Sequence, residues 1–165
     1  MKILERILTD SDINEIIEIL RRVNFEENFN YLNPFISKHT FNELILRESF
    51  FNYTIFVYGE FIDEKLSKIA YYQLPDVATL SKSATLYLLG CENTSTPINM
   101  FLYNSILNLT KVFPDISKIK INIKSNMPNL KSLLKLMNDI GFKKEIELKE
   151  EFDDADLLIY SYFIN

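Results

Sequence analysis

The chain has 165 residues, of which 47% are hydrophobic and 25% charged, the size and balance of one globular domain. Its formal net charge of -5 argues against nucleic acid as the main partner, because phosphate binding usually needs a basic face. No apolar run approaches the ~20 residues that a membrane-spanning helix needs. We therefore expect one domain over residues 1–165, with no nucleic-acid or membrane partner.

The cysteine and histidine content limits the chemistry further. The single Cys91 excludes an internal disulfide, which agrees with a reducing compartment. Charges at Lys2, Glu5 and Arg6 interrupt the apolar core that a signal peptide would need. One His39 and one cysteine are too few nitrogen and sulfur ligands for a typical zinc site. We expect a cytoplasmic protein that holds no metal.

The first half of the chain predicts a strand, two helices and a hairpin. Residues 3–9 form a short strand, and Asp12–Glu15 fits a capping box that begins a helix with an isoleucine stripe. A second capping box at Thr40–Glu43 begins the next helix. Strands near Tyr53–Tyr58 and Lys68–Leu74 then form an antiparallel hairpin.

The second half alternates strands and helices. A continuous apolar run at Thr85–Leu89 predicts a strand that is buried on both faces. Pro97 suits the first position of the following helix, because its missing amide would be unpaired there anyway. The remaining elements are a strand, a helix and two strands, at Ile119–Lys124, Leu130–Gly141, Glu145–Lys149 and Leu157–Phe163. Such an order predicts a mixed α+β (α/β) fold with a twisted mixed sheet of about seven strands, flanked by about four helices.

The last helix ends in a distinctive sequence, Leu136–Phe142, which is followed by two strands. This ending resembles that of the GNAT superfamily of acyl-CoA-dependent N-acyltransferases: a leucine and a tyrosine, two polar residues, an apolar residue and Gly-Phe. A strand ending at Thr9–Asp12 before an isoleucine-rich helix is also common in that family. The resemblance implies a three-layer GNAT-like fold over the whole chain. It also implies transfer of an acetyl or acyl group from acyl-CoA to a primary amine.

In this family the fourth strand and the next helix bind the cofactor. Backbone groups of the strand pair with the pantetheine amides, and the helix N-terminus receives the pyrophosphate. The usual turn has a basic or amide residue, a glycine and then a glycine or alanine, and these positions align here with Thr94, Pro97 and Asn99. Since Pro97 offers no amide and Asn99 adds a side chain, we expect weaker phosphate binding. The resemblance implies the following cofactor-binding residues: Leu88, Leu89, Cys91, Thr94, Ser95, Thr96, Ile98, Asn99, Met100, Asn126 and Asn129.

The catalytic positions depart from the family pattern. Met137 stands where a tyrosine often acts as the general acid, and it belongs to an apolar stripe that predicts a core position. Thr85 and Leu86 occupy the region of a strand carboxylate that often acts as the base. General acid–base help is typically worth about 10²–10⁴-fold, so its loss would slow the chemistry. Tyr87 and Glu92 are the candidates to replace these groups, and the catalytic residues otherwise stay open.

Two loops usually frame the acceptor in this family. Here Asn24–Phe35 is aromatic and carries Glu26 and Glu27, and Glu150–Asp156 is acidic, so the loops could attract a cationic amine. The simpler interpretation is that the aromatic residues fill core and the acids form a solvated turn. We expect a small-molecule or peptide amine as acceptor, and a monomer or homodimer. A degenerate GNAT-fold module that binds CoA weakly, or a peptide or protein, is the alternative to an enzyme.

Overall fold

The computed structural model describes residues 2–22, 29–31 (as backbone), 34, 41–76, 78–92 and 97–164. The strands in these ranges are β1 (Ile3–Ile7), β2 (Phe29–Tyr31), β3 (Ile55–Ile62), β4 (Lys65–Gln73), β5 (Ser83–Cys91), β6 (Lys118–Lys124), β7 (Lys143–Phe152) and β8 (Ala155–Phe163). The α-helices are α1 (Ile13–Arg22), α2 (Glu43–Phe51), α3 (Ile98–Val112) and α4 (Leu130–Ile140). Among the residues described, no helix is long and apolar enough to span a membrane.

The strands form one mixed sheet in the order β1-β3-β4-β5-β6-β8-β7. Neighbours along this order are antiparallel, except that β5 and β6 are parallel and joined through α3. The predicted fold class is therefore confirmed. The short β2 is an additional strand, which lies off this order and pairs with β5. It comes from the segment Asn24–Phe35, where three residues are too few to show a strand period in the sequence.

Helices cover both faces of the sheet and create two hydrophobic cores. On the α3–α4 face, helix side chains including Phe101, Leu102 and Leu133 pack against strands β3, β4, β5, β6 and β8. On the α1–α2 face, Ile16 and Leu46 belong to a second core with β3, β4 and the end of β1. The layers are thus helices, sheet and helices, as predicted.

The helices of the first half begin close to their predicted starts. A short 3-10 turn, Asp10–Asp12, precedes α1, and the Asp12 carboxylate accepts a hydrogen bond from the backbone amide of Thr9 at 2.9 Å. Arg6 binds the same carboxylate at 2.6 Å. The capping box therefore spans Thr9–Asp12 and not Asp12–Glu15. The cap of α2 is Asn42, whose side chain accepts from the amide of Ile45 at 3.0 Å.

The β3–β4 hairpin contains a buried ion pair. Lys68 Nζ lies 2.7 Å from Glu60 Oε1, and both side chains are 0% exposed. Ser67 Oγ donates a hydrogen bond to the same Glu60 oxygen at 3.1 Å. On the strand next to this pair, a Cβ at Gly59 would lie 2.7 Å from Leu66 Cδ1 and 2.9 Å from Leu8 Cδ2. A larger residue at position 59 would therefore require these leucine side chains to shift.

Several turns have left-handed backbone at residues other than glycine. The two-residue turn of the β3–β4 hairpin consists of Asp63 and Glu64, with φ angles of 46° and 69°. Turns of this length usually place glycine at one or both of these positions. The other non-glycine residues with positive φ are Tyr53, Asn129 and Glu150. Gly141, at φ 110°, ends α4 as predicted.

Candidate active site

Strands β5 and β6 pair over only part of their length. Their parallel pairing joins Ser83–Thr85 to Lys118–Lys120. Beyond these residues β5 continues beside β4 to Cys91, and β6 continues beside β8 to Lys124. The two strands therefore separate toward their carboxyl ends, on the side of the sheet where α3 begins. We call the gap between β5 after Thr85 and β6 after Lys120 the strand split.

A β-bulge in β5 lies next to the strand split. Tyr71 pairs with Leu88 and Tyr72 pairs with Leu86, so Tyr87 is the extra residue on β5. Leu86 belongs to the core on the α3–α4 face, whereas Tyr87 and Leu88 both pack on the α1–α2 face. The bulge therefore places two consecutive side chains on one face. Bulges of this kind often re-aim a side chain next to an active site.

Tyr87 lies in an aromatic group on the α1–α2 face. Its ring stacks on that of Tyr71, with centroids 6.3 Å apart and planes at 16°. The ring of Phe41 meets Tyr71 edge-on at 5.1 Å. Burial raises the pKa of Tyr71 well above its usual range, so its hydroxyl stays protonated. Tyr87 is half-buried, whereas Tyr71 is buried.

The edge of β5 that faces the strand split is paired with β2. Leu88–Gly90 pair with β4 on one edge and with Phe29–Tyr31 on the other. Since a strand has two edges, β2 must occupy the edge along which β6 pairs with Ser83–Thr85. The side chains of Leu88 and Leu89 are 0% exposed. The backbone edge of these residues therefore faces the strand split, and β2 pairs with it in this structure.

The amino end of α3 is reached from the end of β5. Thr94, Ser95 and Thr96 lie outside the described residues. Pro97, predicted as the first helical residue, is the N-cap in extended conformation, and the helix begins at Ile98. Asn99 Oδ1 accepts a hydrogen bond from the Met100 amide at 2.9 Å. Asn99, which stands at a glycine position of the family turn, thus already binds the Met100 amide in the first turn of α3.

Glu92 follows β5 and forms ion pairs with two cations. Its Oε2 lies 3.4 Å from Arg22 Nη2, and its Oε1 lies 3.2 Å from Lys65 Nζ. Its backbone amide donates to the carbonyl of Ser67 at 2.8 Å. These contacts join the end of β5, including the half-buried Cys91, to α1 and β4. They favour a structural role for Glu92 over a catalytic one.

The two predicted asparagines lie beyond the carboxyl end of β6. Asn126 Nδ2 donates to Asp154 Oδ2 at 2.7 Å, which ties this segment to the β7–β8 turn. Asn129 is exposed and left-handed at the N-cap of α4, where its side chain forms no capping hydrogen bond. Because β5 and β6 are parallel, both residues are at the same end of the sheet as Cys91.

The acids of the β7–β8 turn are paired with lysines. Asp154 Oδ1 lies 3.7 Å from Lys124 Nζ, and Asp156 Oδ2 lies 3.0 Å from Lys149 Nζ. The backbone amide of Glu150, with Lys149, holds the pKa of Asp156 below its usual value. These pairs favour the simpler interpretation of a solvated turn. Glu26 and Glu27 of the other loop lie outside the described residues.

Two further features are not part of the split. Met137 is 0% exposed in the core on the α3–α4 face, which confirms its predicted core position. A cavity of about 760 Å³ lies between Leu8, Phe51 and Val112, at the opposite end of α3 from Ile98. Within the described ranges, no group of three or more His, Cys, Asp or Glu residues is arranged to hold a metal ion.

Comparison with known proteins relates this geometry to a fold. No family model and no curated protein sequence matches the chain. Among solved structures, a GNAT-family acetyltransferase from Streptococcus pneumoniae superposes over 99% of this chain and 100% of its own, with a TM-score of 0.71 at 15% identity. The ribosomal-protein-S18-alanine N-acetyltransferase from Escherichia coli superposes over 99% of this chain and 95% of its own, with a TM-score of 0.69 at 15% identity.

A third similar structure contains a ligand. The ribosomal L7/L12 alpha-N-protein acetyltransferase in complex with coenzyme A matches 99% of this chain and 95% of its own, with a TM-score of 0.71 at 11% identity. At identities this low, the structural similarity establishes the fold alone. The shared fold extends over nearly the whole of each chain. The protein therefore has the fold of the GNAT acetyltransferases, and the resemblance seen in its sequence is confirmed at that level.

Proposed function

We propose that the protein is an acyl-CoA-dependent N-acyltransferase that acts on a primary amine. The observation that carries this proposal is the strand split, which has a β-bulge on its β5 side and opens toward the start of α3. The backbone edge of Leu88–Gly90 would pair with the pantetheine amides. The first turn of α3 would receive the pyrophosphate, because helix N-termini carry partial positive charge.

The residues of the chain fit such a ligand in part. The amides of Ile98 and Asn99 belong to the first turn of α3, and no hydrogen bond to another described residue uses them. The Met100 amide is already bound by Asn99, and Pro97 has none to offer. As far as the described residues show, two first-turn donors and the helix dipole therefore remain. We expect binding that is real but weaker than a glycine turn would give.

The chemistry follows from the positions around the bulge. Bound acyl-CoA would supply an acyl group activated as a thioester. Backbone amides of β5 beside the bulge would polarise the carbonyl oxygen as the amine nitrogen attacks the carbonyl carbon, the carbon–sulfur bond breaks and the amine loses a proton to water. Tyr87 is the residue that we assign as proton donor to the departing sulfur, since it is half-buried and lies at the bulge. Glu92 is the weaker candidate, because Arg22 and Lys65 already bind its carboxylate.

A second candidate function is a binding module without catalysis. The specific observations that favour it are the β2 strand on the β5 edge, the Asn99 carboxamide on the Met100 amide and the buried Met137. Each of them removes a group that the family uses. Such a module would hold CoA weakly, or a peptide or protein in the split.

Thermal unfolding with and without acetyl-CoA tests whether the protein binds this cofactor. A ligand that binds only the folded state stabilises it by about 2.7 kcal/mol at a concentration 100 times its Kd, so we expect a rise in Tm at 1 mM acetyl-CoA. Asn99→Gly frees the Met100 amide and should increase the shift. Lys111→Gly is the control, since it changes the same helix near its far end.

Release of free thiol from acetyl-CoA then tests turnover. The amine panel includes spermidine and a peptide with N-terminal alanine, because similar structures include a chimeric spermidine N-acetyltransferase and an alanine N-acetyltransferase. Tyr87→Phe should lower kcat by about 10²-fold or more while the thermal shift persists. A shift without turnover on any amine would favour the binding module. The absence of a shift at millimolar acetyl-CoA would contradict both the enzyme and the CoA-binding module.

A further inference from the structure

We propose that β2 is a displaceable strand, which occupies the pantetheine edge of β5 and leaves it when acyl-CoA binds. The inference rests on the proposed function, because that function assigns the edge of Leu88–Gly90 to pantetheine. It adds a competition between the cofactor and a segment of the protein's own chain. The competing segment is Phe29–Tyr31, because these residues pair with the same three residues of β5.

The two occupants exclude each other for a geometric reason. Each backbone amide or carbonyl of β5 points to one edge of the strand, and the edge toward β4 is already filled at Leu88–Gly90. On the other edge β6 reaches only to the level of Thr85. The pairing with β2 begins at Leu88, within the strand split itself. A pantetheine arm on this edge would therefore need the place that β2 holds.

The exchange conserves the hydrogen bonding of β5. Leu88, Leu89 and Gly90 are buried, and buried backbone amides and carbonyls are costly to leave without partners. An extended peptide and a pantetheine arm both offer amide N–H and C=O groups along a chain. In the free protein β2 satisfies the edge, and in the complex pantetheine would do so. The backbone groups on this edge of β5 would thus have hydrogen-bond partners both in the free protein and in the complex.

The attachment of β2 is slight enough to be reversed by a ligand. It comprises three residues, and its described pairing is with β5 alone. The net contribution of each hydrogen bond to stability is small, and ordering three residues costs conformational entropy. The segment also belongs to the connection between α1 and α2, which frames the acceptor in the resembling family.

Proline substitutions in β2 test the competition through the backbone. Hydrogen-bonded and non-hydrogen-bonded residues alternate in an antiparallel pair, so one of Asn30→Pro and Tyr31→Pro removes an amide that faces β5. Apparent affinity rises as the competent fraction rises, so we expect that variant to bind acetyl-CoA about threefold tighter by calorimetry. Leu80→Pro is the matched control, because Leu80 is 102% exposed in the β4–β5 connection. Its affinity should equal that of the unmodified protein.

Hydrogen exchange of the unmodified protein gives a readout that depends on no variant. At saturating acetyl-CoA the amides of Phe29–Tyr31 should lose protection, while those of Leu88–Gly90 keep theirs because their partner is replaced. Unchanged protection of Phe29–Tyr31 at saturation, with equal affinities for all variants, would overturn the competition and leave the proposed function standing. If neither the unmodified protein nor the proline variants bind acetyl-CoA, the proposed function fails and this inference fails with it.

Discussion

The β3–β4 hairpin and the strand split lie in one sheet, yet they are held together in different ways. In the hairpin, pairing runs from Ile55–Ile62 to Lys65–Gln73 and is specified by a buried ion pair and a close-packed Gly59. At the split, β5 pairs with β6 over Ser83–Thr85 and with β2 over Leu88–Gly90, which are short stretches of backbone. The hairpin therefore supplies stability that depends on particular side chains. The split supplies a backbone edge whose partner can change, as segments of low local stability often do at binding sites.

The largest expected effect comes from breaking the buried ion pair. Lys68→Met leaves the Glu60 carboxylate without its ammonium partner at a site with 0% exposure. Removing one member of a buried pair typically costs about 3–5 kcal/mol, so urea unfolding should show a loss of that order. The double variant Glu60→Leu with Lys68→Met should recover most of it, since it leaves no uncompensated charge. Equal losses in the single and double variants would show that packing, not charge, dominates here.

Filling the space at Gly59 should cost less. Gly59→Val places a Cβ where Leu66 Cδ1 lies 2.7 Å away and Leu8 Cδ2 lies 2.9 Å away. Overpacking of this kind costs about 1–3 kcal/mol in the free energy of unfolding. In a Leu66→Ala background the same substitution should cost less, because one of the two clashing side chains is shortened. Additive losses in this double-mutant cycle would contradict the steric explanation.

The Arg6–Asp12 pair should make stability depend on pH at the start of α1. The hydrogen bond from Arg6 is the main reason why the pKa of Asp12 is lowered. The stabilisation from this pair is therefore present above the ordinary Asp pKa of about 3.9. It is lost as the pH falls through the lower pKa that Asp12 has in the folded protein. At pH 7 we expect Asp12→Asn to cost about 1–2 kcal/mol, since Arg6 is partly exposed. The difference from the unmodified protein should shrink below about pH 4, and a constant difference would contradict this assignment.

The smallest change in stability is expected at the split. Asn30→Pro disturbs the backbone pairing of a strand of only three residues, so it should cost less than about 1 kcal/mol in urea unfolding. The hairpin variants, by contrast, should lower stability and leave the affinity for acetyl-CoA unchanged. A loss from Asn30→Pro as large as that from Lys68→Met would remove the distinction between the two regions.

Much of the fold could be predicted because its elements carry strong local patterns. The alternation of Ile119, Ile121 and Ile123 with polar residues predicts β6, and Gly141 predicts the end of α4. The caps of α1 and α2 differ from the prediction because adjacent polar residues can each supply a cap, and the chain uses Thr9 with Asp12 in one case and Asn42 in the other. Such competition between neighbours is decided by tertiary contacts, among them Arg6.

The candidate site was less accessible to sequence reasoning. The Tyr87 bulge depends on register with β4, and the pairing of β2 depends on where β6 leaves β5. Neither the bulge nor the pairing of β2 produces a periodic pattern in the sequence. The ion pairs of Glu92 join residues that are far apart in the chain, Arg22 and Lys65. An apolar run at Thr85–Leu89 could predict a buried strand, but not which of its edges remains available to a ligand.

The left-handed residues in the turns have a consequence for redesign. The chain has only 3 glycines, and it places Tyr53, Glu64 and Glu150 at positive φ, where a side chain without a compensating local hydrogen bond is unfavourable. Strain at such positions costs of order 1 kcal/mol each. Strain at these positions, which lie outside β5 and β6, therefore lowers the stability of the protein. Glycine at these positions could release this strain and offset the cost of changes made at the split itself.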